Sequence, residues 1–207
     1  MAALLSLLVA PRNASAQTAA NAPSQQYHNR TADAFVLLAG GAVAFLAHES
    51  GHLVCDVVFD AHPRLTRVHF GPLPFFAVTH DADISPRREL TIDAAGFRTQ
   101  EATSEWLLTR RPHLAREHAP FAKGVLAFDV LTSLGYGVVA MTRSGPAERD
   151  TRGMAAASGL DERVIGAIVI VPAALDAIRY FKPEWTWAKW MSRVAKVGTV
   201  ALVIKSR

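Results

Sequence analysis

The sequence predicts a mainly α-helical, multi-span membrane protein with a small β-hairpin between its first and second helices, and three observations carry that prediction. Half of the 207 residues are hydrophobic. They gather into long runs at 34–59, 120–142 and 163–181, separated by polar, arginine-rich stretches, a sorting that a water-soluble core rarely needs. After the first run, Val68 and Phe70, the Gly71-Pro72-Leu73-Pro74 break and Phe75 to Thr79 read as two short strands around a turn.

The elements follow in chain order. Residues 1–16 resemble an export signal: Ala2 to Ala10 is a short apolar core and Ala14-Ser15-Ala16 a small-x-small cleavage site, although the usual positive start is missing. Residues 17–30, rich in Ala, Asn, Gln and Ser, read as a flexible exported spacer. Segment 34–59 is long enough to cross about 30 Å of hydrocarbon at about 1.5 Å per residue. It nevertheless holds His48, Glu49, His52 and Asp56, and ionisable groups at that depth need a reason. Gly40, Ala44, Ala47 and Gly51 recur at helical spacing and form a small face for close helix packing.

Segment 64–79 is the hairpin. Segment 91–109 has helical spacing but carries Asp93, Arg98, Gln100, Glu101 and Glu105, so it is either an amphipathic surface helix or a polar helix buried in a bundle. Segments 120–142 and 163–181 are spans with one central acid each, Asp129 and Asp176, and Asp176 has Arg179 three residues on as a ready partner. Between them Asp150 stands where it would cap a short helix from Thr151 to Ser158, closed by Gly159. The membrane-embedded domain covers 31–181. Residues 182–207 read as a basic, aromatic interfacial tail: Trp185, Trp187 and Trp190 mark a belt, and Val194 to Ile204 is short for a span.

The net charge of +4 does not point to nucleic acid, because the basic residues flank apolar runs, where Arg and Lys face anionic lipid heads. The single cysteine, Cys55, excludes an internal disulfide and a cysteine-based metal cluster, and reads as a small buried side chain. His62, His69, His80, His113 and His118 read as interfacial or loop residues with no role.

His48-Glu49-Ser50-Gly51-His52 is the motif that carries chemistry. Residues four apart share a helix face, so His48 and His52 can present two imidazoles to one tetrahedral zinc ion, and Glu49 can reach the attacking water as general base. That combination hydrolyses peptide bonds at neutral pH.

The stretch Phe45 to His52 resembles the zinc helix of the site-two protease class of intramembrane metalloproteases. Ala94-Ala95-Gly96-Phe97 is similar to the Ala-Gly element that opens the next helix in that class, and 64–79 to the membrane-associated strands between them. The resemblance covers about residues 34–160 and implies zinc as cofactor and a membrane-anchored protein as substrate. The class takes its third ligand from an Asn-Pro plus Asp-Gly segment, which is absent here in that form; the nearest match is Gly145 to Met154, which implies Asp150.

Asp129 and Asp176 compete with Asp150 as ligands, whereas Asp56 is set aside, since eight residues of helix separate it from His48 by about 12 Å. Depth is the discriminator. If 91–109 crosses the membrane, the loop after 142 returns to the side toward which the zinc helix points, and Asp150 can reach the metal; if not, Asp176 fits better. The functional expectation is a multi-pass membrane protein, in the inner or plasma membrane if the source is bacterial, that cleaves a membrane-anchored protein with Glu49 as base and His48, His52 and Asp150 on zinc. The alternative is a non-proteolytic membrane protein with a structural, sensing or transport metal site.

Overall fold

The computed structural model describes residues 29–70, 73–80 and 83–205. The expected export signal at 1–16 and the spacer up to residue 28 lie outside the described residues. The chain divides into two units, Met1–Arg30 and Thr31–Arg207, and the second holds everything below except the first residue of the first helix.

The fold is mainly α with one small hairpin. Helix α1 covers Arg30–Val58, strands β1 and β2 cover Arg64–Phe70 and Leu73–Thr79, and α2 covers Pro86–Arg110. Helices α3 (Pro120–Thr142), α4 (Asp150–Ser158), α5 (Glu162–Phe181) and α6 (Thr186–Lys205) follow. The strands pair antiparallel, with Phe70 opposite Leu73 and Arg64 opposite Thr79. Proline starts α2 and α3, where its missing N–H is no loss, and Gly159, at φ 70°, stops α4 in the left-handed conformation.

Helix α1 buries one narrow stripe, Gly40, Ala44, His48, His52 and Asp56, each four residues from the next. Around that stripe the apolar side chains of Phe35, Leu38, Leu46, Val54 and Val57 are exposed. Glycine permits the close approach that buries it. A Cβ on Gly40 would stand 2.1 Å from the Phe121 carbonyl oxygen, and one on Gly51 2.8 Å from that of Ala95. Helix α2 therefore lies along the second half of α1 and α3 begins beside its first half. Since α2 starts near the end of α1 and hands over to α3 near its beginning, α2 runs back along α1. The segment between residues 91 and 109 is thus a polar helix buried in a bundle, with Asp93, Gln100 and Ser104 among its buried residues.

Leu107, Leu108, Leu114, Ala122, Val125 and Leu126 form the core at one end with Ala44. Leu90, Ala94, Phe97, Met154, Ile165 and Val169 form it at the other, fastening α4 to α2 and α5. The region from 182 on, expected as a tail, contains helix α6, which buries Ala188, Ser192 and Lys196. Lys196 falls inside the Val194 to Ile204 stretch that is short for a span. Helices α1, α3 and α5 are long and apolar enough to cross a membrane.

Candidate metal centre

The motif places His48 and His52 on the buried stripe of α1, at 2% and 5% exposure. Their Nε2 atoms are 3.2 Å apart. His52 Nδ1 lies 2.8 Å from the Ile92 carbonyl oxygen on α2. A carbonyl only accepts, so Nδ1 donates the proton and the Nε2 lone pair is left facing His48. Gly96, one turn further along α2, closes the cradle: a Cβ there would stand 2.4 Å from His48 Nε2 and 2.5 Å from His52 Nε2. No side chain fits between α2 and the paired imidazoles.

The third group arrives from α4. Asp150 Oδ2 is 3.4 Å from His48 Nε2 and 3.6 Å from His52 Nε2. It is buried, has no hydrogen bond of ordinary geometry and points at the two nitrogens. The expected N-cap role is not what the side chain does. Arg149 occupies the cap position, without a side-chain cap bond, and Asp150 is the first helical residue. Arg149 fixes this start: its guanidinium meets the Glu162 carboxylate of α5 at 2.6 Å and the Pro146 carbonyl oxygen at 2.6 Å. Gly153 lets α4 lie against Asp93 of α2, since a Cβ there would fall 2.2 Å from Asp93 Oδ2. Burial pushes the Asp150 carboxyl up, but when His52 is protonated at Nε2 as well, its charge and the hydrogen bonds from both imidazoles outweigh burial and hold the carboxyl well below the usual carboxylate range.

The three ligand atoms fit a metal ion. A tetrahedral zinc with nitrogen and oxygen ligands at about 2.0–2.1 Å sets them about 3.3–3.4 Å apart, and the observed separations are 3.2, 3.4 and 3.6 Å. Among the described residues His48, His52 and Asp150 form the group of three that can hold a metal. Glu49, one residue round the helix, interacts electrostatically with all three and accepts from the Val78 backbone amide of β2. Phe97 and Tyr136 wall the site: the Phe97 ring packs edge-on against His48 at 5.7 Å and against Tyr136 at 5.4 Å.

The other acids are placed elsewhere. Asp176 is saturated, accepting from Ser104 and Ser192 at 2.6 Å each and pairing with Lys196 at 2.7 Å and Arg179 at 3.1 Å. The Arg179 pairing is the one that sequence spacing offered; Lys196 on α6 was not anticipated. Asp129 lines a small cavity with Gln100, Ser133 and Asp176, closed by apolar neighbours such as Phe97 and Val169. Its Oδ2 has no hydrogen-bond partner. Gln100 makes an interhelical hydrogen bond, accepting from Ser133 at 3.1 Å. Asp56, fully buried, faces His80 at 3.3 Å rather than the metal-binding group. Cys55 is half-buried rather than buried.

The sequence reading missed the Ile92 carbonyl, the Val78 amide, Phe97 and Tyr136. The first two are backbone groups, on which side-chain identity leaves no mark; Phe97 stood beside Gly96 in a stretch already singled out. No family model matches the chain, and neither does any curated protein or solved structure.

Proposed function

We propose that this protein is a multi-pass, membrane-embedded zinc endopeptidase that cleaves a membrane-anchored protein, similar in plan to the site-two protease class. The observation that carries the reading is the convergence of His48 Nε2, His52 Nε2 and Asp150 Oδ2 at 3.2–3.6 Å, with Glu49 on the adjoining helix position. His48, His52 and Asp150 would hold the zinc ion, which when bound would supply the Lewis acid for amide hydrolysis.

The remaining chemistry belongs to the chain. Glu49 takes the proton of the attacking water and returns it to the leaving amine. His52 is kept in register by the Ile92 carbonyl. Phe97 and Tyr136 exclude bulk water on the His48 side.

The hairpin supports a strand-shaped substrate. Pro74 lacks an N–H and pairs with His69, a position suited to a residue whose amide points away from β1. Strand alternation then turns the amides of residues 76 and 78 outward as well, and that of Val78 does meet Glu49. An extended chain added along this edge would expose its amide beside the general base. Membrane embedding is supported by α1, α3 and α5, whose exposed faces include Leu38, Leu46, Val54, Leu131, Val138 and Val171. Asp93 of α2 and Lys196 of α6 are buried, and Glu105 of α2 pairs with Lys196 and Arg179, as charged groups in a bundle in lipid require.

The test is cleavage of a single-pass model substrate by the purified protein in lipid vesicles. The reading expects cleavage that a zinc chelator stops, zinc restores and Glu49→Gln abolishes. Cleavage that survives Glu49→Gln would assign it to a contaminating protease.

A further inference from the structure

His80 lies outside the metal centre and has no part in the chemistry above. It follows β2 directly and bridges carboxylates on two helices: Nδ1 is 3.3 Å from Asp56 Oδ1 on α1, and Nε2 is 2.9 Å from Glu89 Oε2 on α2. Asp93 of α2 also interacts with it electrostatically. Asp56 is fully buried and neither of its oxygens has a hydrogen bond of ordinary geometry. A buried carboxylate without a countercharge is costly, so this cluster favours a charged imidazole. The hydrogen bond to Glu89 raises the His80 pKa; burial opposes it, and the charges of Glu89, Asp56 and Asp93 add to the rise. Nε2 makes the hydrogen bond to Glu89, while Nδ1 meets Asp56 as an ion pair without hydrogen-bond geometry, a contact that holds only while the imidazole is charged.

The two ends of the hairpin differ in how they are held. At the start, the chain leaves α1 through Asp60 and His62 in the left-handed conformation, φ 57° and 52°, around the fully buried Ala61. That turn is fixed by backbone, with the Ala61 amide donating to the Asp56 carbonyl at 2.8 Å. At the other end the tether is a titratable side chain, two residues beyond the Val78 amide that meets Glu49.

We propose that His80 is a positioning residue, an imidazolium latch that ties the end of β2 to Asp56 of α1 and Glu89 of α2 and so holds the substrate-binding strand edge against Glu49. The proposal rests on the endopeptidase reading for its purpose, but the latch itself can be measured without proteolysis. An isolated two-stranded hairpin is marginal in water, so releasing one end exposes its amides to exchange.

The experiment is hydrogen exchange of amides 64–79 in the zinc-loaded full chain, expressed as protection factors relative to α1, from about pH 6 to about pH 9, spanning the range above an ordinary histidine pKa. Wild type, His80→Gln and Glu89→Gln are compared, with kcat and KM on the model substrate. A raised folded pKa makes the latch complete below the ordinary histidine value and lost as pH rises through the raised one. Wild-type protection is therefore expected to fall by about tenfold with rising pH, the equilibrium equivalent of one charge-assisted hydrogen bond. In His80→Gln it is low and flat, and in Glu89→Gln the fall moves toward the ordinary histidine range. KM rises in both variants with little change in kcat. A neutral imidazole serving only as packing would give no pH dependence. Equal hairpin protection in wild type and His80→Gln across the range overturns the proposal, even if the protein proves to be a protease. The predicted pattern in a protein that cleaves nothing leaves the latch standing and removes the endopeptidase reading.

Discussion

Replacing Gly96 by alanine adds one methyl group and tests the cradle directly. Its Cβ would stand 2.4 Å from both Cε1 and Nε2 of His48 and 2.5 Å from Nε2 of His52. Carbon and nitrogen atoms in contact sit at about 3.5 Å, so about 1 Å of separation must be found. The imidazoles cannot simply swing aside, because His52 is tied at 2.8 Å to Ile92, which belongs to the same helix as Gly96. If α2 retreats, the tether goes with it. Metal–ligand distances tolerate only about 0.2 Å, so a displacement of about 1 Å breaks at least one bond to the ion. Removing even an outer-shell partner of a metal ligand lowers affinity about 10–100-fold, and Gly96→Ala is expected to lose at least that much. The variant should still fold, since alanine is favoured over glycine in a helix interior by about 0.5–1 kcal/mol. Competition against a chromophoric zinc chelator in detergent measures the affinity. Gly135→Ala, where an added Cβ meets nothing within 4 Å, is the matched control and should bind as wild type does. Wild-type zinc affinity in Gly96→Ala would refute the argument that the two imidazoles converge against this glycine.

Three further outcomes are expected. Glu49→Gln should keep its zinc and lose about 10²–10⁴-fold or more in peptide cleavage, the range for removing a general base, as read by initial rates on the model substrate. Asp176→Asn should keep zinc yet be destabilised by about 3–5 kcal/mol, because Lys196 and Arg179 lose a buried partner; a large drop in the thermal unfolding midpoint with unchanged metal content is the signature. Arg149→Ala should leave the helical content intact while lowering zinc affinity by about 10–100-fold, since it frees the start of α4 that carries Asp150; unchanged affinity would mean that packing of Met154 and Thr151 suffices.

The parts of this arrangement that repeat at a period were legible in the sequence. The small residues Gly40, Ala44 and Gly51 announced the packed side of α1, and the four-residue spacing of His48 and His52 placed both imidazoles on it. The hairpin was readable from its turn chemistry, and α3 from an unbroken apolar run. Convergence of distant segments was not readable in the same way. Asp150 stood among three acids because its selection depends on the direction of α2, and a helix carrying Asp93, Gln100 and Glu105 gives no hydropathy signal for whether it lies on a surface or inside a bundle. The role of α6 is hidden for the same reason: Lys196 looks like an interruption in a weak apolar stretch until Asp176 and Glu105 are seen opposite it. In the sequence His80 looks like any loop histidine, because its partners, Asp56 and Glu89, lie 24 residues before it and 9 after it.

The most direct test of the account is zinc analysis of the purified protein, by stoichiometry and by X-ray absorption at the zinc edge. It predicts about one zinc per chain, bound by two imidazoles and a carboxylate oxygen at about 2.0–2.2 Å, lost in His48→Ala and in Asp150→Ala and kept in Asp129→Asn and Asp176→Asn. Folded wild-type protein that takes up no zinc, or zinc that remains bound in Asp150→Ala, would contradict it.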